Sequence, residues 1–168
     1  MTEAALLRLL GENVEPRPGR GGWHGGPTPL GALRGVSPAA AHWRPAPGRH
    51  SIWALTLHVA YWTYAVRRRI SGGGPAFPRS PANFPKVPDR PSARAWAADR
   101  ALLADERRLL LEAIRAVPAS RLGRRPAGAK KWTYGELITG IAQHDAYHAG
   151  QIQMLKRLWR ARRSLGRA

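Results

Sequence analysis

Apolar residues recur at helical spacing in four stretches of the chain, and nowhere do they alternate in the two-residue rhythm of a strand. From Thr2 to about Asn13, residues Ala5, Leu6, Leu9 and Leu10 lie on one side of a short helix. In the second stretch Ser51 supplies an N-cap, and Leu55, His58, Trp62 and Val66 follow at steps of three and four, so that His58 points the same way as the core. That helix ends at Ser71 and the glycines Gly72 to Gly74. The third begins near Ser92, carries Trp96, Leu103, Leu110 and Val117 at every seventh position, and is closed by Pro118. Asp99 and Glu106 share part of its inward stripe, either as edge residues in salt links with arginines or as orienting groups near a metal. The fourth has the sharpest start, with Thr133 and Glu136 as a capping box and Trp132 and Leu137 at the positions of a hydrophobic staple. Its stripe runs through Leu137, Ile141, His144, His148, Ile152 and Leu155 toward Trp159.

The intervening segments are of two kinds. Residues 16–50 form an irregular region, rich in glycine and proline to Gly31, with Ser37 and Pro38 as N-cap and first residue of a brief helical turn and Pro45 and Pro47 breaking the chain again. Residues 72–91 hold six prolines from Pro75 onward, which excludes a compact helix and leaves a crossover of about 20 residues. Long crossovers join helices that run parallel in a four-helix bundle. The expected fold class is therefore all-α, a four-helix bundle in one domain over residues 1–168, with a frayed basic tail at 160–168.

Composition sharpens this. A chain of 168 residues with 43% apolar content can bury a core of its own, and the absence of cysteine removes disulfides and thiolate metal sites, so any metal must be held by nitrogen and oxygen. No apolar run approaches the roughly 20 residues that span a bilayer, and the opening carries Glu3 and Glu12 where a leader would be basic and apolar, so the expectation is a cytoplasmic protein without membrane contact. The net charge of +18 points toward nucleic acid, but arginine outnumbers lysine about sixfold amid abundant Ala, Gly and Pro, a bias of codon usage, and the arginines are spread along the chain. A solvated basic surface is the preferred reading of that charge.

His144 and His148, at i and i+4, set two imidazoles one turn apart on one helix face, close enough to share an ion. The segment HDAYH differs from the HExxH helix of zinc proteases: Asp145 is a methylene shorter than glutamate, and no His, Asp or Glu follows His148. A third ligand must come from upstream, and of His24, His42, His50 and His58 only His58 sits in mid-helix on an inward stripe. Three buried imidazoles without a metal would each need a protein partner, at about 1–3 kcal/mol for each group left unsatisfied. A divalent ion on His58, His144 and His148 is the economical alternative; Ni, Zn, Fe and Mn all suit such nitrogens. Gln151, nearly one turn beyond His148, either bonds a buried carbonyl or orients a histidine.

The segments HDAYHAGQIQMLKR and SIWALTLHVAYW, with NFP, Trp96 and AVPASRL between them, resemble the DinB-like (DinB/YfiT) superfamily over nearly the whole span from Trp23 to Lys156. That resemblance implies an up-down-down-up bundle, a metal centre matching His58, His144 and His148, and often a homodimer. Trp23, His24 and Gly25 look similar to a stretch in one branch of these proteins, from which His24 could reach the open face of the metal, although ordinary packing accounts for it as well. Characterised members include thiol-dependent S-transferases and an isomerase, so the implied activity is metal-dependent transfer of a small-molecule thiol to an electrophilic acceptor, with hydrolysis behind it. The alternative is a non-catalytic stress-response or nucleic-acid-associated protein, a reading carried by the family's link to DNA damage and by the charge.

Overall fold

A hydroxyl begins each described α-helix of the protein. Thr2, Thr28, Ser37, Ser51, Ser92 and Thr133 each accept a hydrogen bond from the backbone N–H three residues on, satisfying one of the donors that a helix start leaves free. The computed structural model describes residues 2–17, 19–20, 22 and 24–165, and within them the fold is all-α, with no strand. The helices are α1 (Glu3–Val14), α2 (Pro29–Ala32), α3 (Pro38–His42), α4 (Ile52–Ser71), α5 (Ala93–Ala116) and α6 (Tyr134–Leu165), with a 3₁₀ turn at Ala119–Arg121.

Two outcomes depart from the sequence expectations. The region 16–50 contains α2 as well as the anticipated turn α3, and the same signal marks both, a hydroxyl followed by proline at the first helical position. The basic tail is helical as far as it is described, since α6 continues through Leu165, where Arg, Ala and Leu favour the helix and no proline or glycine interrupts it; residues 166–168 of that tail lie outside the described residues. Trp23, singled out with His24 in the glycine-rich loop, lies outside the described residues.

The core comes in two parts. Trp53, Leu57, Trp96, Leu103, Ala149 and Ile152 belong to one cluster, joined by Leu33 and Ala41 from the short helices. Val14, Val66, Ile70, Leu110, Ile114, Ile138 and Ile141 form the other. Along α4, α5 and α6 the residues that fall between the two clusters are polar and buried: Thr63 on α4, Glu106 and Arg107 on α5, Asp145 and His148 on α6. A polar layer thus crosses the protein at mid-height.

Charges in such a layer must be paired. Arg67 donates through Nε and Nη2 to both carboxylate oxygens of Glu106, with the shorter bond at 2.7 Å. Asp99, nearer the first cluster, accepts from the Trp53 indole at 2.8 Å and from Arg79 at 2.7 Å. Glu106→Ala leaves the Arg67 guanidinium buried and alone, and is expected to cost about 3–5 kcal/mol. The double variant Arg67→Met/Glu106→Leu should recover most of that loss, because it removes both charges and keeps the volume. Urea unfolding of the two variants against the parent measures both effects.

Candidate metal centre

Next to this layer, His58, from the second turn of α4 and flanked by Leu57 and Val59 of the first cluster, stands opposite His144 and His148 of α6. His58 and His148 are 6% and 7% exposed, and the Nε2 atoms of His58 and His144 lie 3.1 Å apart. One ligand nitrogen from each of the three rings falls within 4.8 Å of the others, and among the described residues no carboxylate joins them. A tetrahedral ion with nitrogens at about 2.0–2.1 Å sets its ligands roughly 3.4 Å apart, a spacing that the His58–His144 separation of 3.1 Å is near.

Ring orientation is fixed from behind. The His58 Nδ1–H donates to the backbone carbonyl of Asn83 at 2.8 Å, which leaves the Nε2 lone pair facing the other rings. The Nδ1–H of His148 donates to Gln151 Oε1 at 2.7 Å, and the Gln151 amide nitrogen in turn donates to the Tyr147 hydroxyl at 3.0 Å. Metal-bound histidines characteristically engage their second nitrogen in this way. His144 differs, since its buried Nδ1 has no hydrogen-bond partner. Asp145 Oδ1, itself unpartnered, lies 3.8 Å from it, while the other oxygen of Asp145 is bonded to Arg107.

Burial favours the neutral form of His58 and His148. It pushes the His58 pKa down to about 4 despite the opposing bond to Asn83, with His148 and His144 lowering it further. The pKa of His148 is lowered by burial too, against the raising effect of Gln151. Neutral rings with their lone pairs turned inward have the form in which imidazole binds a metal.

Two contributors escape sequence patterns because they come from the irregular crossover. Asn83 adopts the left-handed backbone conformation, φ 70°, which asparagine tolerates better than most residues; its carbonyl reaches His58 and its side-chain oxygen accepts from the Trp62 indole at 2.8 Å. Phe84 is stacked between His58 and His50, with 4.1 Å between ring centroids on each side. The tripeptide NFP is the only sequence signal that marks them.

His24 is not brought to the cluster. Its Nδ1 accepts from the Gly26 N–H at 3.0 Å, and its ring lines a small cleft with Asn13, Asp145 and Ala146.

No curated protein and no solved structure matches the chain. A family model of the DinB superfamily matches residues 29–152, a span that holds all three clustered histidines together with Asn83 and Gln151 and covers most of the chain. The protein therefore belongs to the DinB superfamily.

Proposed function

We propose that the protein binds one divalent metal ion through His58, His144 and His148 and uses it to activate a low-molecular-weight thiol for transfer to an electrophilic acceptor. The observation that carries this reading is the convergence of three imidazoles in a buried layer, two of them held by their outer nitrogens with the inner ones left free. The orphaned His144 Nδ1 fits as well: a ring bound through Nε2 carries its proton on Nδ1, and a small shift brings that proton to Asp145 Oδ1.

When bound, the ion would supply Lewis acidity and an open position at which a thiol loses its proton near neutral pH. Burial favours neutral His58 and His148, Asn83 and Gln151 fix the directions of those two rings, and Phe84 covers one face of His58. In the transfer the thiol sulfur attacks an electrophilic carbon. A C–S bond forms, the leaving group departs with its electron pair, and the thiol proton passes to solvent.

The scaffold we propose is an up-down-down-up four-helix bundle of α1, α4, α5 and α6. In its support, the starts of α4 and α5 share one apolar cluster with the later part of α6, and their ends share the other with its beginning. We propose a homodimer on the outer side of α6, where Tyr147, Met154 and Leu158 are 64%, 57% and 44% exposed at steps of seven and four residues.

Elemental analysis of the purified protein should find one divalent ion per chain, and a thiol assay with an electrophilic acceptor should find thiol consumed. His58→Ala, His144→Ala and His148→Ala should each abolish both. Full metal content in all three would refute the site, and metal without turnover over a broad set of thiols and acceptors would refute the transferase. Gln151→Ala, which removes the acceptor behind His148, should weaken metal affinity about 10–100-fold in a chelator competition.

Acid should destabilise the metal-free protein. The His58 pKa is depressed from 6.5 to about 4 on folding, so between those values the unfolded chain binds the proton and the folded one does not. The stability that neutral His58 contributes is fully present above about pH 6.5 and is lost as the pH falls toward 4, with His148 acting in the same direction. Thermal midpoints of chelator-treated protein, measured across that window, should fall with pH in the parent and less steeply in His58→Phe.

A further inference from the structure

Beside the histidine cluster lies a cavity of about 690 Å³, a volume typical of small-molecule sites. It runs between α4 and the first half of α6. Trp62 and Val66 form one wall, Trp132 and Gly140 the other, with His144 at one end and Arg69 at the opposite end. On α4 the residues His58, Trp62, Val66 and Arg69 make a single stripe, so the cation stands about 16 Å along the helix axis from the histidine that faces the cluster.

Three features identify the occupant. The lining is predominantly apolar and includes two indoles, which suit a flat ring. Among the described residues no carboxylate pairs with Arg69, whereas its neighbours Arg67 and Arg68 are bonded to Glu106 and the Tyr64 hydroxyl. The acid that does line the cavity, Glu136, is committed to the backbone N–H and hydroxyl of Thr133 at 2.8 Å each, and Lys131 covers the Trp132 ring at 4.4 Å with no acid of its own among the described residues. Glu136 keeps its negative charge, but Arg69 in the lining and Lys131 and Arg125 nearby outnumber it, so the mouth is positive on balance and the walls are apolar.

We propose that this groove is the acceptor subsite and takes a substrate with a flat apolar body and an anionic group. The anionic group meets Arg69, and the ring lies between Trp62 and Trp132. The end of the molecule that reaches His144 presents the carbon to be attacked. This deepens the thiol-transfer reading and rests on it for the identity of the reaction, but the binding preference stands on the groove alone.

Gly140 offers a direct test. It lies one turn from both Glu136 and His144, and nothing stands within 4 Å of the place where a Cβ would be, so a larger residue enters the groove and not the core. Leucine also has a higher helix propensity than glycine, so Gly140→Leu is expected to fold at least as well as the parent.

The probes are 8-anilinonaphthalene-1-sulfonate, flat and anionic, and N-phenyl-1-naphthylamine, its neutral counterpart. Fluorescence titration of the metal-loaded protein should give one saturable site for the anionic dye, at least tenfold weaker in Gly140→Leu with metal content unchanged. Arg69→Leu should weaken the anionic dye several-fold, reduce its dependence on salt and leave the neutral dye unaffected. Anionic binding indifferent to both substitutions would overturn the proposal. So would equal affinity of the two dyes in the parent, or a groove that excludes both while Gly140→Leu changes the sedimentation of the protein, as a face closed by a second copy would. If the dyes behave as expected and no thiol is transferred, the groove stands and the transferase reading falls. If the histidine variants lose their metal and the parent has no dye site, the metal centre stands and the groove falls.

Discussion

The guanidinium of Arg107 is 2% exposed in the middle of the protein, and the arrangement of the site depends on how it is compensated. A charge moved from water into such surroundings costs several kcal/mol unless its donors are met. Arg107 donates to Asp145, to Glu15 and to the backbone carbonyl of Val14, so α6 and the end of α1 are both tied to α5. Burial opposes the charge on Arg107, but the carboxylates of Asp145 and Glu15 outweigh it and raise the pKa. Asp145 then fixes the rotation of α6. With about 100° between successive residues of a helix, turning Asp145 toward α5 turns its neighbours at 144 and 148 onto the adjoining face, where α4 brings His58. An ion pair thus sets the direction of two imidazoles, one of which, His144, has its Nδ1 3.8 Å from Asp145 Oδ1.

The same surroundings explain why His58 and His148 can be buried close together without becoming charged. Protonated rings at these separations would repel one another in surroundings that solvate them poorly, and burial lowers the pKa of His58 and His148 accordingly, while the acceptors on their Nδ1–H groups oppose that shift and serve to fix tautomer and ring direction. The acceptor for His58 comes from the crossover. Its proline content keeps the segment out of a helix, which leaves the Asn83 carbonyl free to point inward instead of being used four residues along. A region that reads as mere connection is part of the frame of the site.

Local chemistry and helical periodicity made part of this arrangement legible in the sequence. The helix starts at Ser51, Ser92 and Thr133 follow from a hydroxyl three residues before a free N–H, and the structure bears out each. His58, His144 and His148 could be grouped because helical periodicity is a rigid ruler, and it carries direction across many turns. No such ruler crosses an irregular segment. The approach of Asn83 to His58 depends on a left-handed residue within a proline-rich stretch, and the bonds from Arg107 to Val14 and Glu15 join positions 93 and 92 residues apart. The burial of Asp99 and Glu106 was legible only in part: their place on the inward stripe was visible, whereas their depth is decided by the length of Arg67 and by the Trp53 indole that meets Asp99.

Charge distribution, more than charge total, gives the groove its character. The chain has 28 lysines and arginines against 10 acids, yet the surplus is not uniform. Four of the acids, Glu15, Asp99, Glu106 and Asp145, are paired with Arg107, Arg79 and Arg67, and Glu136, still ionised, is held at its own helix start with Arg125 acting on it. Glu12 is occupied by Arg8, Arg17 and Arg20 at the far end of α1. Among the described lining residues Glu136 is the one carboxylate, against Arg69 there and Lys131 and Arg125 nearby, so the field at the end of α4 and the start of α6 is positive on balance even though no dense basic run marks the place. Exposed charges act over about 10 Å at 0.1 M salt, and low-dielectric walls concentrate that field within a groove. The pairing that stabilises the interior is thereby also what leaves the approach to the histidines selective for an anion.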